Sequence, residues 1–137
     1  MKIVDENKKY NSRKGLVYSC QYHVIFTTKY RRKVLINGVD EEFKRICLEN
    51  QTNFDYQILE IEVMPDHVHL LIESDPKIGI YVQINRIKGI SSNILRKSFP
   101  WLRSRIPTLW TRSKFISTVG SVSLEVVKKY IEDQKKV

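Results

Sequence analysis

Among the 137 residues there are only two cysteines, three histidines, four prolines and five glycines. Two cysteines do not make a disulfide framework. Cys20 falls in a strand-like run and Cys47 in a helix-like one, where each reads as a small buried hydrophobe. No apolar run approaches the roughly 20 residues that a membrane-spanning helix needs. The N-terminal stretch MKIVDENKKYNSRKG is polar and charged, without the apolar centre of a signal peptide, so a cytoplasmic protein is expected. Internal repeats, low-complexity tracts and interdomain linkers are also missing. A basic arm over residues 1–14 and a single domain over 15–137 are therefore expected. A hydrophobic content of 42% is that of a globular chain rather than a disordered one.

Acidic residues are scarce where it matters. The formal net charge is +9, and from Pro76 to Leu124 there are nine Lys or Arg and no Asp or Glu. A second basic cluster, TKYRRK at 28–33, sets an aromatic among four cations. Basic surface interleaved with aromatics suits a polyanion, most commonly nucleic acid; a solvated basic surface without a partner is the alternative.

The chain order reads strand, helix, strand, strand, helix, strands, helix. LVYSCQYHVIFTT (16–28) is rich in β-branched and aromatic residues and reads as one long strand. The stretch 39–54 has helical spacing, with Asp40, Glu41 and Glu42 in its first turn, where the helix dipole favours anions. DYQILEIEVM (55–64) alternates as a strand and turns through Pro65-Asp66 into a partner strand over 67–73. Residues 77–99 read as a helix, weakened or bent at Gly89 and closed by Pro100. TLWT and KFIST read as short strands, Val119-Gly120-Ser121 as a break, and 123–136 as a final helix with Ser123 as N-cap. This is an α+β pattern with an antiparallel sheet and packed helices.

MPDHVHLLIE (64–73) places two of the three histidines one residue apart. Side chains alternate along a strand, so Val68, Leu70 and Ile72 face the core, with Leu59, Ile61 and Val63 of the preceding strand as neighbours. His67 and His69 then share the other face, about 6–7 Å apart at the backbone, within reach of one ion. Neutral imidazoles each offer a nitrogen lone pair. Two unrelated histidines are the alternative. In KKYIEDQKK, Tyr130 and Gln134 lie four residues apart on one helical face. A tyrosine whose phenolate is favoured by Lys128 or Lys129 is a covalent nucleophile. An aromatic packed beside Val126, Val127 and Ile131 is the other reading. His23 receives no role beyond that of a strand histidine satisfied by a neighbour.

Together, YHVIFTTKYRRKVL (22–35), MPDHVHLLIE (64–73), RIKGISS (86–92), LWTRSKFISTVGSVS (109–123) and KYIEDQ (129–134) carry a resemblance. The chain resembles the single-tyrosine HUH transposases of the insertion-sequence 200/605 type, from about Gly15 to Gln134. The resemblance implies a ferredoxin-like or RNA-recognition-motif-like sheet. It implies His67, His69 and Gln134 as ligands of Mg²⁺ or Mn²⁺, Tyr130 as nucleophile, and Gly120 as the hinge before the catalytic helix. It also implies homodimers with active sites completed in trans, single-stranded DNA with hairpins at element ends as substrate, and a 5′-phosphotyrosine intermediate. Lys29, Tyr30, Arg31, Arg32, Arg86 and Lys88 are the expected DNA-binding residues, with Arg96, Lys97, Trp101 and Trp110 as further candidates. Core packing is the competing reading for Trp110.

Imidazole suits Mn²⁺ better than Mg²⁺, and a structural zinc would need four Cys or His ligands. No Walker P-loop is present, as suits chemistry without ATP. Competing expectations are a domesticated repeat-associated HUH nuclease, a replication initiator or relaxase, and a non-catalytic single-stranded nucleic-acid binder.

Overall fold

The computed structural model describes residues 11–13, 16–120 and 129, with only the backbone of 11–13. The chain opens with a hairpin, in which β1 (Asn11–Arg13) pairs antiparallel with β2 (Leu16–Tyr18). Part of the expected arm is thus strand. The expected long strand over 16–28 is correspondingly divided. Ser19 and Cys20 separate β2 from β3 (Gln21–Thr27), and the two strands belong to different sheets. Composition favoured extended backbone throughout; the local hairpin partner decides where the strand breaks.

After β3 come α1 (Val39–Glu49), α2 (Gln51–Phe54), β4 (Tyr56–Met64), β5 (His67–Ser74), α3 (Ile80–Ser98), α4 (Trp101–Arg105) and β6 (Phe115–Thr118). The main sheet is antiparallel in the order β4-β5-β3-β6. A βαββαβ succession with its first and third strands central is the ferredoxin-like arrangement. The expected α+β architecture is therefore the observed one.

One face of the sheet is packed with helices. Val24 and Phe26 of β3 and Val68, Leu70 and Ile72 of β5 meet Phe43 and Ile46 of α1 and Ile84 and Ile87 of α3 in a continuous core. Helical spacing on α1 and α3 provides the matching apolar stripes. Gly89 does not interrupt α3, which runs unbroken to Ser98. No helix among the described residues is long and apolar enough to cross a membrane.

β4 departs from strict alternation. Ile58 pairs with Ile72 but Glu60 pairs with Leu71, so Leu59 is one residue too many for the ladder. A bulge of this kind changes the phase of a strand. Tyr56 and Ile58 face the core before it and Ile61 after it, while Leu59, expected to be a core neighbour, is only half-buried.

TLWT is not a strand. Trp110 makes a single bridge to Thr28, and its indole enters the core edge-to-face with Phe26 at 4.7 Å and Phe43 at 5.4 Å between ring centroids. Its Nε1–H donates to Ser91 Oγ at 3.0 Å.

Candidate active site

The face of the sheet away from the helices carries both histidines of β5. Val68 between them is fully buried, which turns His67 and His69 outward together, as alternation requires. Across the sheet, Met64 and Thr27 flank His67. Glu62, Ile25 and then Phe115 lie in line with His69. Ile25 and Phe115 are exposed apolar side chains on this open face.

Each imidazole has a neighbour on one ring nitrogen. His67 Nδ1 lies 2.8 Å from Asp66 Oδ1. A hydrogen bond from His67, and then the charge of Arg31, hold the Asp66 carboxyl below its ordinary pKa. An ionised carboxylate only accepts, so His67 donates from Nδ1, and in the neutral ring that leaves the lone pair on Nε2. His69 Nε2 lies 3.0 Å from His23 Nδ1, with the two rings 22° from parallel. Among the described residues, no group of three or more His, Cys, Asp or Glu is placed to hold a metal. The His67 ring turns one nitrogen away from Asp66, and the His69 ring has a second nitrogen besides the one facing His23, so neutral rings of the right tautomer would suit a divalent ion needing further ligands. Gln134, expected to complete it, lies outside the described residues, as does Tyr130. Of the expected final helix only Lys129 is described, helical and exposed.

The basic cluster at 28–33 is fastened beside His67. Thr28 is fully buried, and its backbone N–H donates to the Asp66 carbonyl at 3.0 Å. Its hydroxyl donates to the Arg32 carbonyl at 2.6 Å. Lys29 N–H bonds the Leu109 carbonyl at 2.9 Å, and the Arg31 guanidinium meets Asp66 Oδ2 at 3.3 Å. Between these anchors Tyr30 and Arg31 adopt left-handed backbone, with φ of 57° and 51°. For residues bearing a Cβ that conformation is strained, and such strain gathers where surrounding structure imposes it. The result is a projecting tip: Tyr30 is 66% exposed, with the Lys29 ammonium 5.2 Å from its ring.

At the far end of β6, the Val119 N–H donates to the Gln21 carbonyl at 3.0 Å. Gly120 follows at φ +70°, a backbone conformation open to glycine at little cost. The expected hinge therefore directly follows that hydrogen bond.

Residues 16–134 match the family described as "Transposase IS200 like". The chain belongs to the IS200-like transposase family. The ISDra2 transposase TnpA of Deinococcus radiodurans is 34% identical over 123 residues, 88% of either chain. The transposase for insertion sequence element IS200 of Salmonella typhimurium is 28% identical over 127 residues, covering 86% of this chain and 81% of the relative. A crystal structure of a candidate transposase from Deinococcus radiodurans superposes with a TM-score of 0.72 at 34% identity, covering 90% of this chain and 97% of that one. A REP-associated tyrosine transposase bound to a REP hairpin shares the fold, with a TM-score of 0.57 at 11% identity over 90% of this chain and 67% of its own.

The remaining expected DNA-binding residues of this transposase sit apart from the histidines. Arg86 lies in the helical layer, its guanidinium 5.4 Å from the Phe54 ring. Arg96 donates to the Ile106 carbonyl at 3.1 Å. Lys88 Nζ donates to the carbonyls of Thr111 and Ser113 and lies 5.6 Å from the Phe26 ring. Burial, with repulsion from Lys114, pushes the Lys88 pKa down to about 8. A neutral amine keeps two N–H donors for those two carbonyls. Between about pH 8 and the ordinary lysine value, the unfolded chain holds a proton that the folded chain lacks, so folding stability rises with pH. Lys88→Met is expected to flatten that rise in urea midpoints measured across this window. An unchanged slope in the variant would place its origin elsewhere.

Proposed function

We propose that this transposase cleaves and rejoins single-stranded DNA at the ends of an insertion sequence through a 5′-phosphotyrosine. The observation that carries the reading is the pair His67 and His69 on the open face of β5, beside a basic loop pinned to the same Asp66. Lys29, Arg31 and Arg32 would bind backbone phosphates, and Tyr30 would stack on an unpaired base. The greater identity to the ISDra2 transposase supports an insertion-sequence enzyme over a repeat-associated one.

In the step, the Tyr130 phenolate oxygen attacks the scissile phosphorus. A Tyr130 Oη–P bond forms, the P–O3′ bond breaks, and the leaving 3′ oxygen takes up a proton. Attack by another 3′-OH reverses the sequence and joins new strands, so no nucleotide triphosphate is consumed. His67 and His69, with Gln134, would hold Mg²⁺ or Mn²⁺. When bound, that ion supplies Lewis-acid stabilisation of the charge gathering on the phosphate. Hairpins at the element's ends would present the strand, and a second copy of the chain would complete each site through its final helix.

The test uses labelled single-stranded DNA from both flanks of the gene, incubated with Mn²⁺ or with EDTA and resolved on a denaturing gel. A covalent band requiring Mn²⁺, with the attached nucleotide mapped to Tyr130 by mass spectrometry, is the expected result. Retarded DNA without any covalent band, across several hairpins, would leave a binding module instead.

A further inference from the structure

His23 stands on β3 opposite Leu71 of β5, one diagonal step from His69. Its Nδ1 approaches His69 Nε2 at 3.0 Å with the rings 22° from parallel and their centroids 5.2 Å apart, so the two rings meet nearly end to end, as a nitrogen–nitrogen hydrogen bond requires. Among the described residues nothing else calls for a histidine there: its strand neighbours Val24 and Phe26 make the core, and His23 is on the other face.

Two neutral imidazoles in contact share one proton between the facing nitrogens. Either His23 donates, or His69 does. If His23 donates from Nδ1, His69 carries its own proton on Nδ1 and has no free lone pair left. If His69 donates from Nε2, its Nδ1 is free and the His23 proton sits on Nε2. Only the second arrangement leaves His69 a ligand. It repeats the situation of His67, whose Nδ1 faces Asp66 and whose Nε2 has no hydrogen-bond partner among the described residues. Ligating histidines characteristically donate their second ring nitrogen in this manner, which fixes the tautomer and raises the basicity of the ligating one.

We propose that His23 is a positioning residue for His69, accepting its Nε2–H and thereby fixing His69 Nδ1 as the metal-facing nitrogen. The proposal rests on the metal-site reading above. His23 is not itself counted as a ligand, because no three-residue ligand group exists among the described residues. Asp66 and His23 are then a matched pair of supports, one for each histidine of β5. The sites they leave open are Nε2 of His67 and Nδ1 of His69.

The test follows Mn²⁺ binding to the full chain by electron paramagnetic resonance of the unbound ion. The unaltered protein, His69→Ala, His23→Ala and His23→Asn are compared, and thermal melts report that each is folded. His23→Ala is expected to weaken binding by about 10-fold or more, the usual cost of losing such a support. His23→Asn is expected to recover most of that loss, because its side-chain oxygen can accept near the position of the lost Nδ1. Long-range proton–nitrogen spectra of the metal-free protein are expected to show His69 protonated on Nε2, and a tautomer mixture in His23→Ala. Full-strength binding in His23→Ala while His69→Ala binds weakly would overturn the role of His23 and leave the metal site standing. A His69 protonated on Nδ1 in the unaltered protein would overturn it as well. Mn²⁺ that fails to bind even the unaltered chain would sink the metal reading itself, and the proposal with it.

Discussion

Tyr130→Phe is expected to abolish the covalent protein–DNA adduct and leave Mn²⁺ binding at its original strength. The substitution deletes one oxygen, the atom to which phosphorus would be joined, and removes no metal ligand. Losing a covalent nucleophile costs several orders of magnitude, about 10⁴-fold or more, because no neighbouring group inherits the bond. His67→Ala differs in kind. It removes a nitrogen donor, so Mn²⁺ binding and cleavage should both fall, cleavage by about 10²–10³-fold for lost stabilisation of developing charge. Mixing the two inactive chains adds a second measurement. If each site combines histidines from one copy with Tyr130 of the other, half of a freely mixed population consists of mixed dimers, each with one whole site. About a quarter of the original cleavage should return. A mixture as dead as its parents would place helix and histidines in the same chain. A Tyr130→Phe protein that still forms adduct would remove Tyr130 from the chemistry.

Trp110→Ala is expected to destabilise the fold by about 3–5 kcal/mol, the cost of emptying a large buried aromatic. The indole lies between Phe26 of β3 and Phe43 of α1. Its loss also leaves the hydroxyl of Ser91, a fully buried residue on α3, without the N–H it accepts. Small proteins are stable by only about 5–15 kcal/mol, so the deficit should appear as a fall of about 10–20 °C in Tm. Trp110→Phe should lose less, keeping much of the ring packing while surrendering the hydrogen bond. A change in Tm of a degree or two would contradict the buried position. Reduced DNA binding at full stability would return Trp110 to the surface role considered for it from sequence.

The histidine face was legible because its information is local. In His-Val-His-Leu-Leu-Ile, alternation alone puts Val68, Leu70 and Ile72 inside and the imidazoles outside, and the structure agrees. Leu59 defeated the same rule one strand earlier, since a bulge is a property of two paired strands and only β5 reveals the extra residue. Trp110 likewise sits in a short β-rich run whose sequence does not distinguish a strand from a single bridge. His23, expected to be a strand histidine satisfied by a neighbour, is one, but the identity of that neighbour was hidden for a related reason. Its own strand shows which face it occupies, but its nearness to His69, 46 positions away, exists only once β3 pairs with β5. The pairing of strands one and three in a βαββαβ order was the available signal. Tyr130 and Gln134 fall outside the described residues, and their proposed roles rest on the helical spacing and the family resemblance alone.

Asp66 serves three neighbours with one residue: its carbonyl takes the Thr28 N–H, and its two carboxylate oxygens take His67 and Arg31. Sharing of this kind makes a thermodynamic cycle. Under the proposed function, a DNA phosphate that drew the exposed Arg31 away would leave the carboxylate with one partner fewer, and it would then hold the His67 N–H more firmly. By reciprocity, a firmly set His67 makes Arg31 easier to release. Under the proposed function, loading of the basic loop and setting of the imidazole would then be two faces of one equilibrium, linking substrate affinity to readiness of the site at this residue.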